Sequence, residues 1–176
     1  TLRFKNLGLI EDGAIRIAPL MLFTGDNNTG KSYAMTLLWG VVALGRGLFP
    51  TAIPESESYR RCENWLTRCS QESKDEKCLL TEDEGLFVRW FGDVLNQRRQ
   101  TLSDDLFGEG SVRLRELRIT DFARERPLSL RWSRDAAEGS RYSSGEHYVR
   151  FPLPTSSLPR AEAYRMIQYL TWKLIM

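Results

Sequence analysis

Apolar and polar positions along this chain change period repeatedly, and each change marks an element. Leu2 and Phe4 alternate with Arg3 and Lys5, which predicts a strand over Leu2 to Asn6. Ala14-Ile15-Arg16-Ile17 alternates again after Glu11-Asp12-Gly13, so an Asp-Gly turn is expected to join the two runs as a hairpin. Leu20-Met21-Leu22-Phe23-Thr24 is apolar almost throughout, the pattern of a buried third strand. From Gly30 to about Leu44 the residues Ala34, Met35, Leu37, Leu38, Val41, Val42 and Ala43 place apolar groups nearly all round a helix, which should therefore be packed on several sides. Gly45-Arg46-Gly47 and Pro50 end it.

Between Pro54 and Gly110 the chain turns charged and helical. Tyr59, Cys62, Trp65, Leu66 and Cys69 recur at three- and four-residue spacing and form one apolar stripe over Ser56 to Ser70. Thr81-Glu82-Asp83-Glu84 reads as a capping box with acids in the first turn of a second helix, expected over Glu82 to Gln100. Its apolar face carries Leu86, Phe87, Trp90, Phe91, Val94 and Leu95. From Ser111 the period becomes two. Val112 and Leu114 alternate in one phase and Leu117 and Ile119 in the other, suggesting a bulge at Arg115-Glu116. Leu128, Leu130 and Trp132 share a strand face opposite Ser129 and Arg131, His147 to Phe151 is a further strand, and Ala163, Ile167, Leu170, Trp172 and Leu174 pattern a last helix from Arg160. The expected class is α/β.

One segment names a ligand. Gly25-Asp26-Asn27-Asn28-Thr29-Gly30-Lys31-Ser32 satisfies every fixed position of the phosphate-binding P-loop, G-x-x-x-x-G-K-[ST], and lies between a strand-like run and a helix, as that chemistry requires. The glycines let the backbone curl so that successive N–H groups face inward and form an anion nest, which the helix N-terminus reinforces. Lys31 supplies a point charge for the β- and γ-phosphates, and the Ser32 hydroxyl is placed to coordinate Mg²⁺. Gly25 to Ser32, with Tyr33 beside them, are the candidate residues for binding ATP, and Ser32 is the candidate metal ligand.

The other chemistry-bearing residues read more plainly. A net charge of +2 over 176 residues is too mild to argue for nucleic acid, and the arginines between Arg113 and Arg150 are interleaved with acids, as on a solvated sheet face. Cys62, Cys69 and Cys78 lack both the pairing of a disulfide framework and the spacing of a zinc site. No run is long enough to span a bilayer and the start reads directly into strand-like sequence, so a cytoplasmic chain without membrane contact is expected. His147 alternates on a strand without an evident catalytic partner.

The order of hairpin, strand, GDNNTGKS, apolar helix and antiparallel segment resembles the N-terminal half of an ABC-type ATPase head, in particular the SMC-like group that includes OLD-type ATPase-nucleases and anti-phage defence ATPases. The opening FKNLGLIEDGAIRIAPLMLFTGDNNTGKS carries the resemblance, which is specific over roughly Leu2 to Leu44. It implies a P-loop NTPase fold over residues 1–176, with a helical insertion at 54–110 and an antiparallel β segment at 111–151. It also implies that Asn27 faces the γ-phosphate and the attacking water, and that the strand around Phe4 and Lys5 lies beside the nucleoside. Such heads bind ATP and Mg²⁺, close as homodimers around sandwiched ATP, and couple hydrolysis to a partner such as DNA, a nuclease or a toxin.

The chain departs from that pattern in two places. The Walker B strand, four apolar residues ending Asp-Glu, is not found; Cys78-Leu79-Leu80-Thr81-Glu82-Asp83-Glu84 is the nearest imitation and reads as a helix cap. Tyr142-Ser143-Ser144-Gly145-Glu146 echoes a signature motif only loosely and reads as a turn. Gln71, Gln97, Gln100 and Gln168 are all candidates for the metal-contacting glutamine of such a head. Hydrolysis is therefore expected only when a C-terminal half supplies the missing groups. The competing readings are a self-contained P-loop phosphotransferase acting on a small molecule and a non-hydrolysing, nucleotide-dependent scaffold.

Overall fold

The computed structural model describes residues 1–18, 20–72, 77–79, 84–122, 128–133, 142–144, 148–154 and 157–175. They form a mixed α/β chain that divides into two compact units, one built from Thr1–Pro50 and Phe91–Phe122, the other from Thr51–Trp90 and Ala123–Met176.

The first unit holds a three-stranded antiparallel sheet in the order β2-β1-β4, from β1 (Leu2–Leu7), β2 (Ile10–Ile15) and β4 (Glu116–Ile119). The β1–β2 hairpin turns at Gly8 and Leu9, not at Asp12-Gly13, with Leu7 opposite Ile10 and Leu2 opposite Ile15. Gly8 sits at a φ of 58°, where glycine carries no Cβ penalty. Gly13 instead lies within β2 facing Phe4, whose ring occupies the space of a Cβ: that atom would stand 2.4 Å from Phe4 Cε2. The glycine read as a turn is thus a packing gap for a buried phenylalanine. The phase change at Arg115-Glu116 marks where β4 begins. Arg115 donates its N–H to Lys5 O at 2.9 Å and regular pairing starts one residue later, so the expected bulge is a strand start.

The run Leu20 to Thr24 is not a strand. It is irregular, with Leu20 89% and Leu22 86% exposed. An apolar strand is stable only when neighbours pair its backbone and cover its side chains, and here only Met21 and Phe23 are half-covered. Helix α1 (Lys31–Leu44) forms as expected but is covered on one side only. Ala34, Leu37, Leu38 and Val41 are buried, whereas Met35, Trp39 and Val42 form an exposed stripe with Trp39 66% accessible. Gly40 is buried where α1 meets helix α3 (Glu84–Phe107); a Cβ there would lie 2.5 Å from Leu106 Cδ1, so the absence of a side chain sets the close approach of the two helices. Phe49 and Phe91 pack with ring centroids 5.6 Å apart, and Arg98 donates to Gly47 O at 3.1 Å, closing the loop after α1 onto α3.

In the second unit α2 (Glu57–Glu72) buries Tyr59, Cys62, Trp65, Leu66 and Cys69, the stripe its spacing predicts. Helix α3 begins at Glu84; the proposed cap residues Thr81 to Asp83 lie outside the described residues. Its apolar face is as read, with Phe87 and Trp90 buried in this unit and Phe91, Val94 and Leu95 in the first, while Leu86 is half-buried. Trp90, Tyr59 and Tyr164 form a mutual cluster of tilted and edge-on rings, Trp90 lying 5.7 Å from Tyr59 and 6.3 Å from Tyr164, and Trp65 meets Phe87 edge-on at 5.3 Å.

A four-stranded sheet follows the order β3-β5-β7-β6, from β3 (Lys77–Leu79), β5 (Ser129–Ser133), β6 (Ser143–Ser144) and β7 (Tyr148–Pro152). It is not uniformly antiparallel, because β5 and β7 run parallel with Leu130 opposite Val149. Segment 111–151 is thus shared between two sheets, with β4 in the first unit and β5 to β7 in the second. Helix α4 (Arg160–Ile175) buries Ala163, Tyr164, Met166, Ile167, Leu170, Thr171 and Leu174; Trp172 is only half-buried, off the face expected for it.

Cys62 and Cys69 are buried, and Cys62 is a free thiol. Burial pushes the Cys62 thiol from 9.0 up to about 12, and burial, then the nearby Glu63 charge, push the Tyr59 phenol upward as well. Unfolding returns the thiol to its ordinary value, so the stability it contributes is complete below about pH 9 and is lost as pH rises from there towards 12. The denaturant midpoint should fall across that window. A flat midpoint would show that the thiol is solvated in the folded chain.

Candidate phosphate-binding loop

The loop from Gly25 to Gly30 takes the backbone shape its composition permits. Gly25 has a φ of 135°, Asn28 of 62° and Gly30 of 87°, three positive values within six residues. Two fall on glycine, and the third on asparagine, the ordinary side chain that tolerates the left-handed region best. Thr29 donates its hydroxyl to Asp26 O at 2.9 Å and braces the curl. Gly30 is the N-cap of α1 and accepts the Ala34 N–H at 3.1 Å. It is buried beneath the hairpin: a Cβ on Gly30 would stand 2.6 Å from Ile10 Cγ1. Any other residue there would collide with β2 in a conformation it already disfavours.

No side chain caps the first turn of α1, and no acid lies in it. The N-terminal N–H groups and the positive end of the helix dipole are therefore directed at the loop without internal neutralisation, the arrangement that favours an anion. Lys31 bends back into the loop, donating from Nζ to Gly25 O at 2.7 Å, to Asp26 O and to Thr29 Oγ1 at 3.2 Å. The ammonium thus lies inside the curl, bound to the loop's own oxygens. Asp26, Asn27, Asn28, Thr29, Ser32 and Tyr33 are exposed around it. These residues are contiguous in the chain, and Lys31 Nζ reaches back to Gly25, Asp26 and Thr29 within them. The motif offers Mg²⁺ one hydroxyl, that of Ser32, and no group of three or more metal-binding side chains occurs among the described residues. That donor set fits a hard cation that arrives with phosphate oxygens and fits a free cation poorly.

Of the remaining sequence candidates, Phe4, Lys5, Gln97 and Gln100 belong to the first unit. Phe4 is buried over Gly13, and Lys5 pairs with Glu116 at 3.5 Å. Gln100 donates from Nε2 to Asp104 Oδ1 at 2.8 Å and to Val112 O at 3.2 Å; Gln97 is exposed on α3, and Gln71 and Gln168 belong to the second unit. Ser143–Ser144 is strand β6, the next described element is strand β7, and His147 lies outside the described residues. Arg118 pairs with Glu116 at 2.6 Å in the first unit, while Arg131 and Arg150 flank the Tyr148 ring at 4.7 and 5.9 Å in the second.

Sequence reading missed one feature beside the loop. Helix α3 continues to Phe107, a turn and more beyond the predicted end, and its last residues line an open surface hollow of about 450 Å³ with Ser32, Tyr33, Thr36 and Ser111. The signal was present: Leu102 and Leu106 continue the apolar spacing, and Gly108 with a φ of 91° is an ordinary glycine stop.

No family model, curated protein or solved structure matches this chain. Among the described residues no helix is long and apolar enough to cross a membrane.

Proposed function

We propose that the chain binds ATP with Mg²⁺ through Gly25 to Tyr33 and is the N-terminal part of an ABC-type ATPase head of the SMC-like group. The observation that carries this reading is the loop itself: positive φ at Gly25, Asn28 and Gly30, an uncapped helix start, and Lys31 turned into the concavity. A chance glycine turn has no reason to combine the three. The hairpin order that carries the sequence resemblance also supports it, since β2 presses Ile10 onto Gly30 and so ties the opening residues to the loop.

On this reading hydrolysis draws on acids that these residues lack. The nest, Lys31 and Ser32 hold and orient phosphates, but no apolar run ending in Asp-Glu is present to hold water against them. Phosphate release by this chain should therefore be no faster than that of its Ser32→Ala variant. Concentration-independent turnover well above that control would favour the self-contained phosphotransferase instead. Closure of two heads around ATP, with hydrolysis driving a nuclease, toxin or DNA-processing partner, completes the proposal. Contact with DNA has one observation in its favour, the paired Arg131 and Arg150 on Tyr148, an aromatic and cationic surface suited to a polyanion.

A further inference from the structure

Resting on the DNA contact proposed above and not on the phosphate loop, we propose that the four-stranded sheet of the second unit binds single-stranded DNA across Arg131, Tyr148 and Arg150. Alternation gives the two faces of this sheet opposite characters. Leu130, Trp132, Val149 and Phe151 are buried and make the core face. Arg131 and Tyr148, both half-buried, and Arg150, exposed, fall at the intervening positions.

The basic positions stand side by side. Arg131 of β5 is opposite Arg150 of β7, and Lys77 of β3 is opposite Arg131, so one row across three strands carries three basic residues. With neighbouring strands about 4.8 Å apart the row spans roughly 10 Å, wider than a single phosphate group. Like charges directly opposite one another in a sheet repel. Among the described residues neither Arg131 nor Arg150 forms an ion pair or a hydrogen bond, and Arg131 Nε is buried without a partner. What holds them is the Tyr148 ring, 4.7 Å from Arg131 and 5.9 Å from Arg150. Their charge is left for a ligand to neutralise. The sequence leans the same way, since Ala123 to Met176 carries nine Arg and Lys against five Asp and Glu.

The ring decides which polyanion fits. A guanidinium held over a phenol offers a base a stacking surface as well as a charge. A single strand can lay its unstacked bases on that surface while its phosphates follow the row of basic residues, a combination that tolerates any sequence. A duplex keeps its bases stacked on one another and would meet the arginines alone. An acidic polypeptide such as polyglutamate brings charge without a base.

Fluorescence anisotropy tests this with labelled oligo(dT), the matching dT·dA duplex, oligo(U) and polyglutamate, each titrated with the parent chain over a range of salt. Oligo(dT) should bind about tenfold more tightly than the duplex or polyglutamate, the scale of one stacked base, and oligo(U) no more tightly than oligo(dT). Arg150→Gln, at an exposed position, should flatten the slope of log affinity against log salt by about 0.7, the share of one phosphate on a single strand. Tyr148→Ala should cost about tenfold in oligo(dT) affinity and keep the parental slope, whereas Tyr148→Phe, which retains the ring, should bind as the parent does. Should Tyr148→Ala fail to fold, the slope of Arg150→Gln decides. Parental affinity and slope in Arg150→Gln and Tyr148→Ala would place the contact elsewhere on the chain and overturn this surface. Duplex bound as tightly as oligo(dT) would overturn the single-strand assignment and leave DNA as a partner. Oligo(U) bound more tightly, or polyglutamate bound as tightly, would make DNA the wrong partner. Failure of the parent to bind oligo(dT) or duplex would remove the DNA contact itself, and this proposal with it.

Discussion

Lys31→Ala is expected to weaken Mg-ATP binding by roughly a hundredfold, the loss of about 3 kcal/mol that a charge-assisted phosphate contact carries, with little change in the fold. The side chain is only half-buried and its ammonium touches nothing beyond Gly25, Asp26 and Thr29, so no core packing goes with it. In the ligand-free loop those contacts must be surrendered before the lysine can turn to a phosphate. Calorimetry reads the affinity and far-ultraviolet circular dichroism the fold. Unchanged affinity would take nucleotide binding away from this loop, and lost helicity would make Lys31 a structural residue.

Trp90→Ala should lower unfolding free energy by about 3 to 5 kcal/mol, the range for truncating a buried aromatic. Trp90 is 1% exposed and touches both Tyr59 on α2 and Tyr164 on α4, so its removal opens a void bounded by three helices of one unit. Chemical denaturation monitored by helicity measures it. A loss below about half a kcal/mol, the usual size for a surface site, would mean that the ring is not part of the core. Because the two units are separately compact, the transition should be checked with a probe in each before a single free energy is assigned.

Where a segment's own period decided its structure, reading it alone was enough. The stripes of α2 and of the first half of α3 are examples, because three- and four-residue spacing fixes which side chains meet a neighbour. The loop was legible for a related reason: a left-handed backbone at Gly25 and Gly30 is a local property of glycine. What failed depended on partners distant in sequence. Gly13 read as a turn because nothing local says that Phe4 lies across it. Leu20 to Thr24 read as a buried strand from composition, yet burial is a property of neighbours, and Leu20 and Leu22 are left bare. The parallel pairing of β5 with β7 was equally invisible, since alternation gives a strand its faces but not its direction. At the site, the loop was found and the hollow beside it was not, for the hollow exists only where the end of α3 returns to the start of α1.

The exposed stripe of Met35, Trp39 and Val42, with Leu20 and Leu22 bare as well, governs how this polypeptide behaves at the bench. A net charge of +2 gives copies little mutual repulsion to offset attraction between greasy surfaces. Added salt screens that repulsion further and strengthens the attraction, so light scattering is expected to give a second virial coefficient that falls as salt is raised. Arginine or a mild detergent in the buffer, and dilute stocks, are the practical counterpart of that bare tryptophan.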